Sequence, residues 1–146
     1  MPRFLTGLLA LLLILGLGAA AETPKHHRLA VQIDSSDSAL MNLALGNIAN
    51  AADLYAKRGE TVEIELVAYG PGLAMLREDI SPVKARLEAL HEKLPTLKLS
   101  ACHNTLVAAE ASEGKHVVLV PEAAEVPSGV VRLVELQEQG WSYIRP

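Results

Sequence analysis

Apolar and polar positions divide this chain into short apolar runs and longer stretches with helical spacing. Residues 29–33 form an apolar run typical of a buried strand, and residues 61–68 alternate at first and then become apolar. Between these runs, apolar side chains recur at helical spacing from Leu40 to Tyr55, and Gly59 ends the repeat. Residues 29–68 are therefore predicted to form a strand, a long helix and a second strand.

The same pattern continues to the C-terminus. Three further strands are predicted, each from a short apolar run, at residues 97–101, 116–120 and 141–144. Helical segments are predicted after Pro82, after Cys102 and after Pro127. Strands that alternate with helices indicate one α/β domain of three layers, with a mostly parallel sheet of about five strands flanked by helices.

The first 21 residues have the pattern of a secretory signal peptide. Arg3 supplies the positive start, residues 8–17 form a leucine-rich core, and three alanines ending at Ala21 suit a signal peptidase. We expect cleavage near Ala21 and a periplasmic or secreted mature protein, with an uncleaved anchor as the alternative. Residues 22–28 are polar and are predicted to be a flexible arm in front of a domain at residues 29–146.

Charge and composition exclude several classes of partner. The net charge of −4 becomes about −5 once Arg3 is removed, so the mature chain lacks the basic face that nucleic acids and anionic membranes require. Once the apolar signal peptide is cleaved, stable membrane insertion is not expected. With one cysteine and no metal-ligand spacing among its five histidines, the sequence predicts no metal site and no cofactor.

The predicted topology places three polar or flexible segments at the carboxyl ends of strands. They are residues 34–38, 69–72 and 102–105. Parallel sheets bind ligands at this edge, near a switch in strand order. We therefore predict a site where these three segments meet.

Cys102 is the main candidate for chemistry in that site. A thiol that follows a strand and opens a helix lies at the positive end of the helix dipole, which favours the nucleophilic thiolate. His103, directly next to it, is a candidate for supplying charge or moving a proton. The alternative is that Cys102 is a buried side chain that only packs under the loop.

The segment Tyr69-Gly70-Pro71-Gly72 has two interpretations. Gly70 and Gly72 lack a Cβ, so the backbone is able to approach a ligand closely, and Tyr69 is a candidate for the wall of the cleft. The alternative is a rigid turn without a binding role.

Three further polar side chains have both a local and a functional explanation. Asp34 and Asp37 are typical helix-capping residues, and Asp34 alternatively orients a ligand or a base beside Cys102. Asn104 is expected either to cap its own helix or to bind a ligand amide. Capping is the simpler explanation for all three.

Three segments of the chain resemble the DsrE/DsrF-like family. Residues 67–76 resemble the loop after the family's second strand, residues 101–106 its cysteine motif, and residues 126–146 its closing helix and strand. The resemblance implies a DsrE-like fold with a flavodoxin-like arrangement. It also implies a fourth strand at residues 123–126, where the local pattern favours residues 116–120. His103 departs from the family pattern, in which a small residue such as glycine is expected.

The resemblance implies two functional hypotheses. The family includes sulfur-relay subunits, typically cytoplasmic and oligomeric, in which a cysteine carries persulfide sulfur between proteins. The first hypothesis is therefore a homo-oligomeric sulfur carrier or redox accessory, in which Cys102 accepts sulfur from a donor protein or passes it to an acceptor, rather than a turnover enzyme. The second is a non-catalytic binding or assembly module in which Cys102 is structural.

Overall fold

The computed structural model describes residues 23–146, and the predicted signal peptide lies outside them. Within this range the chain forms five strands, four α-helices and a short 3₁₀ helix. In chain order they are β1 His26–Ile33, α1 Ser38–Lys57, β2 Thr61–Ala68, the 3₁₀ helix Gly70–Leu76, α2 Lys84–Lys93, β3 Lys98–Cys102, α3 His103–Glu113, β4 Ala123–Val126, α4 Gly129–Glu138 and β5 Ser142–Ile144. None of the described helices is long and apolar enough to cross a membrane.

The five strands form one parallel sheet in the order β4-β3-β2-β1-β5. From β1 the chain moves outward through β2 and β3 to β4, and α4 then carries it back across the sheet to β5, beside β1. The strand order therefore switches between β1 and β5. The predicted α/β class with a five-stranded sheet is confirmed, and every strand pair is parallel.

The two faces of the sheet carry cores of different size because strand side chains alternate between faces. One face bears the larger core, under α1, the 3₁₀ helix, α2 and α3, and its strand residues include Val31, Ile33, Leu66 and Leu99. The other face is covered by α4, whose small core consists of Ala30, Val67, Leu133, Leu136 and Trp141. The sheet is thus covered heavily on one side and by a single helix on the other.

The first strand begins earlier than its apolar run indicates. The polarity of His26, His27 and Arg28 predicts a flexible arm, but these residues pair with Thr61 and the residues that follow it in β2. The His26 ring also bonds the Thr61 hydroxyl at 2.8 Å. Hydrogen bonding to a neighbouring strand extends β1 here, which polarity alone does not reveal.

The fourth strand is β4 at Ala123–Val126, as the family resemblance implies. Residues 116–120, which the local pattern favours, form no strand and contribute a single bridge from Leu119 to Arg77. Their apolar character has another cause, since Val117 and Val120 are buried in the larger core while the chain crosses from α3 to β4. The local prediction is therefore wrong.

A buried arginine directly after the 3₁₀ helix forms ion pairs that connect this segment to the end of α3. Arg77 is 5% exposed, and its guanidinium donates to Asp79 at 2.9 Å and to Glu113 at 2.9 Å. Lys115 adds a bond to Asp79, also at 2.9 Å. These contacts hold the 3₁₀ segment, and with it the loop at Gly70, against α3.

Candidate functional site around Cys102

Cys102 ends β3 and is the N-cap residue of α3. The preceding residue, Ala101, lies in the larger core, so the Cys102 side chain faces the opposite side, where α4 begins. Its register partner in β4 is Val126, and the residue is 5% exposed. The predicted position of the thiol, at a strand end and a helix start, is confirmed.

Two helices, rather than one, begin at the thiol. α3 starts at His103, and α4 starts at Gly129, where a Cβ would lie 3.2 Å from the Cβ of Cys102 and 3.0 Å from that of Tyr69. Only a residue without a side chain fits this contact without displacing its neighbours. The positive ends of two helix dipoles, each with free N–H groups, therefore meet at one sulfur atom.

The surroundings of the sulfur favour its ionised form. Burial raises the pKa of the Cys102 thiol, but hydrogen bonds from the Thr105 hydroxyl and from the backbone N–H groups of Gly129, Thr105 and Asn104 outweigh it, so the pKa lies below its ordinary value. All of these donors belong to the first turns of α3 and α4. A thiolate held in this way is a nucleophile that the protein stabilises in advance.

The two glycines of the loop after β2 have different roles. Gly70 has a φ of +52°, and its N–H donates to the Thr105 hydroxyl oxygen at 3.0 Å. Since the same hydroxyl donates to Cys102, the loop orients the donor of the sulfur. Gly72 contacts the end of β1 instead, because a Cβ there would lie 2.3 Å from the carbonyl oxygen of Ile33. Gly70 thus supports the thiol, and Gly72 permits close packing of the 3₁₀ helix.

Tyr69 extends between the thiol and the switch in strand order. Its ring contacts Gly129 and packs on the small core under α4. Burial, followed by the nearby charge of Asp34, raises the pKa of the Tyr69 phenol, and a hydrogen bond with Gln32 opposes this. The phenol therefore stays protonated at neutral pH and acts as a hydrogen-bonding wall of the site.

Asp34 does not cap a helix. Its carboxylate accepts a bond from Arg145 at 2.8 Å, at the carboxyl ends of β1 and β5. Asp37 is the N-cap of α1 and accepts the N–H of Ala39 at 2.8 Å. The capping prediction is confirmed for Asp37 and wrong for Asp34, which belongs to a polar cluster at the switch in strand order.

The side chains of His103 and Asn104 do not have the roles at the thiol that the sequence predicts for them. The His103 ring bonds Glu125 at 2.7 Å, and the position of Glu125 in β4 points to the face opposite Cys102. The N-cap residue of α3 is Cys102 and not Asn104, so the capping prediction for Asn104 is wrong. Asn104 acts on the site through its backbone N–H, which lowers the pKa of the Cys102 thiol.

Three features near the thiol are not predicted from the sequence: the Thr105 hydroxyl, Gly129, and an ion pair beneath α4. Thr105 lies inside the predicted segment 102–105, but nothing marked its hydroxyl as the sulfur's donor. Gly129 carries only a weak signal, namely that a poor helix former stands at the first residue of a helix. The ion pair between Glu65 and Arg132, 2.7 Å apart and separated by 67 residues, has no sequence signal.

Among residues 23–146 no group of three or more histidine, cysteine, aspartate or glutamate side chains is arranged to hold a metal ion. The two adjacent histidines have other partners. His26 bonds Thr61, and His27 stacks on Tyr55 with 3.8 Å between ring centroids and bonds Glu60 at 3.1 Å. Both rings therefore fasten β1 to its neighbours.

These features define a parallel α/β protein with one helix-stabilised thiol at the carboxyl edge of its sheet. The model of the DsrE/DsrF-like family matches residues 28–146, and the chain belongs to this family. A solved structure similar to it is the protein of unknown function MTH1491 from Methanobacterium thermoautotrophicum, at 35% identity and a TM-score of 0.68. The match covers 82% of this chain and 99% of that one. Among curated proteins none matches the chain.

Proposed function

We propose that this protein is an exported sulfur carrier in which Cys102 accepts sulfane sulfur as a persulfide. The observation that carries the proposal is the convergence of the α3 and α4 N-termini on one thiol whose pKa lies below its ordinary value. Membership of a family that includes persulfide-carrying subunits supports the same chemistry. In this proposal Cys102 carries sulfur between partners and does not turn over a substrate alone.

The proposed loading step requires no external oxidant or reductant. The Cys102 thiolate attacks the outer sulfur of a donor persulfide, a new sulfur–sulfur bond forms, and the donor's own sulfur–sulfur bond breaks. The donor thiolate leaves with the electron pair. The N–H groups of Gly129, Thr105 and Asn104 then stabilise the anionic persulfide that remains on Cys102.

Access to the thiol limits the donors that fit. Cys102 is 5% exposed, between Tyr69 and the first turn of α4. Cys102 does not line a groove of about 270 Å³ beside α4, but its register partner Val126 does, together with Ser100 and Arg132. We propose that the donor approaches along this groove as a small molecule or as an extended segment of a partner protein.

The second candidate function is a non-catalytic assembly module. It is favoured by the burial of Cys102 together with three exposed valines on α4, Val130, Val131 and Val134, which are each about half exposed. In that reading α4 is covered by a second copy of the chain, and Cys102 only packs against Gly129.

Mass spectrometry separates the two candidates. The mature protein is incubated with inorganic polysulfide and its intact mass is recorded, beside Cys102→Ser and His103→Ala. The carrier proposal expects a gain of one sulfur atom in the native protein and in His103→Ala, since that ring bonds Glu125, and none in Cys102→Ser. No cysteine-dependent gain, with a thiol that native protein does not alkylate, favours the assembly module.

Export is a separate part of the proposal. It is supported by Arg3, the apolar residues 8–17 and the alanines ending at Ala21. The full chain is expressed with a C-terminal tag, and the N-terminus of the protein recovered outside the cytoplasm is sequenced. We expect Glu22 as the first residue, and recovery of a chain that still begins at Met1 contradicts cleavage.

A further inference from the structure

A buried ion pair connects α4 to the middle of the sheet. Glu65 of β2 is 1% exposed, and its two carboxylate oxygens each accept a bond from Arg132 of α4 at 2.7 Å. The Ser100 hydroxyl donates to the same carboxylate at 2.7 Å. Burial raises the pKa of Glu65, but the bonds from Arg132 and Ser100 more than offset it, so the carboxylate is ionised at neutral pH.

Stability alone does not explain this pair. A buried ion pair gives little net stabilisation compared with well-packed apolar side chains, because both charges lose their hydration. A two-pronged contact between guanidinium and carboxylate, however, allows one relative position and orientation. The pair is therefore suited to fixing where α4 lies on the sheet.

The helical turn that this pair anchors is the one that touches the thiol. Arg132 lies three residues after Gly129, and its N–H donates to the Ser128 carbonyl at 2.9 Å. At Gly129 even a Cβ would come within 3.2 Å of the Cβ of Cys102. A displacement of the first turn of α4 by a few tenths of an ångström thus changes its contact with Cys102.

We propose that Glu65 and Arg132 are positioning residues that hold the first turn of α4 against Cys102. This inference rests on the proposed thiolate chemistry, because positioning matters only if the sulfur reacts. Neither residue touches the reacting atoms in this role. They act through Gly129.

If Glu65 acts on the thiol through its charge, and if it acts by positioning α4, the substitution Glu65→Gln shifts the thiol pKa in opposite directions. Glu65→Gln removes a negative charge on the face that Cys102 shares, so an effect of charge alone makes the thiolate more stable. It also breaks the two-pronged bond to Arg132, so an effect of positioning makes the thiolate less stable. The direction of change in the thiol pKa therefore decides between them.

The experiment measures the rate of iodoacetamide alkylation of Cys102 against pH, which gives the thiol pKa without any sulfur donor. The variants are Glu65→Gln, Arg132→Lys, which keeps the charge but loses the fork, and the double variant Glu65→Leu with Arg132→Met, which keeps an apolar contact. Glu135→Gln is the control, because it removes only the exposed contact from Arg132 at 3.5 Å.

We expect a raised thiol pKa and alkylation about three- to tenfold slower near pH 7 in all three variants, with the control unchanged. The double variant decides the matter if Glu65→Gln does not fold, since it loses no net charge. A wild-type pH profile in the folded double variant overturns the proposal, and so does a lowered thiol pKa in Glu65→Gln. Failure of sulfur loading with these pKa changes present would overturn only the carrier function.

Discussion

Thr105 joins the glycine loop to the thiol through a single hydroxyl group. Its oxygen accepts the Gly70 N–H at 3.0 Å, and hydrogen bonding by the same hydroxyl lowers the pKa of the Cys102 thiol. Thr105→Val keeps the shape of the side chain and removes both bonds. We expect the thiol pKa to rise, and alkylation near pH 7 to slow about three- to tenfold, as measured by iodoacetamide reaction rates.

Thr105→Ser is the matched control, because it keeps the hydroxyl and loses only a methyl group. It should retain a pH profile close to that of the native protein. If Thr105→Val alkylates at the native rate across the pH range, the hydroxyl does not stabilise the thiolate.

Single residues differ in how far local sequence reveals their role. Cys102 was identified because its position depends only on the strand before it and the helix after it. Asp34 looked like a helix cap because capping potential is local, whereas its actual partner, Arg145, is 111 residues away. Asn104 is the opposite case, since its contribution comes from a backbone N–H that any residue type except proline would supply.

The first turn of α4 is predicted to control the reactivity of the thiol more than the stability of the fold. Gly129→Ala places a Cβ 3.0 Å from that of Tyr69 and 3.2 Å from that of Cys102, so one of these elements must move. Gly129 is the first residue of α4, so alanine gains less than the about 1 kcal/mol of a helix-interior position, and this gain only partly opposes the cost of crowding. We expect the free energy of unfolding to change by less than about 1 kcal/mol and the thiol pKa to rise.

Gly46→Ala in the middle of α1 is the control for that experiment. A Cβ at Gly46 meets only the Arg86 guanidinium, at 3.5 Å, so the change should stabilise the protein by about 0.5–1 kcal/mol and leave the thiol unaffected. Urea unfolding and alkylation rates check both variants. Native alkylation in Gly129→Ala would contradict the assigned contact between α4 and Cys102.

Among the elements, β4 shows why pattern alone misplaces a strand. Residues 116–120 look like a strand because residues 117–120 are all apolar, but Val117 and Val120 are apolar because they are buried in the larger core. A strand, however, needs a neighbour to pair with, and β4 finds it along β3, where Leu99 pairs with Ala123. β4 lies at the edge of the sheet and is half exposed, so its own residues carry a weak apolar signal.

At the scale of the whole molecule, the alternation of strands and helices is enough to predict a three-layer domain with a parallel sheet. It is not enough to predict which strands are neighbours. The return of α4 across the sheet brings Gly129 to Cys102 and Arg132 to Glu65, and none of these contacts is local. The sequence therefore indicated the edge of the sheet where the site lies, and the strand order supplies its donors.

Acid should destabilise this fold through the carboxylates that pair with Arg77. Hydrogen bonds from Arg77 hold the pKa values of Asp79 and Glu113 below their ordinary values of 3.8 and 4.5. For groups with a lowered pKa, the stabilisation is complete above the ordinary value and is lost as pH falls through the lower, folded-state value, because the unfolded chain binds protons first. We expect the free energy of unfolding to fall steadily from about pH 5 to about pH 3.

The variant Arg77→Met tests the source of that slope. It removes a side chain that is 6% exposed and leaves Asp79 and Glu113 with Lys115 as their remaining cationic partner, so it should lower the free energy of unfolding near pH 7. Because Asp79 and Glu113 then return toward ordinary pKa values, the loss of stability between about pH 5 and pH 3 should be shallower than in the native protein. Arg86→Met, which loses contacts to Asn42 and no carboxylate contact, should keep the native slope. Equal slopes for the native protein and Arg77→Met, measured by urea unfolding at each pH, would assign the acid sensitivity to other carboxylates.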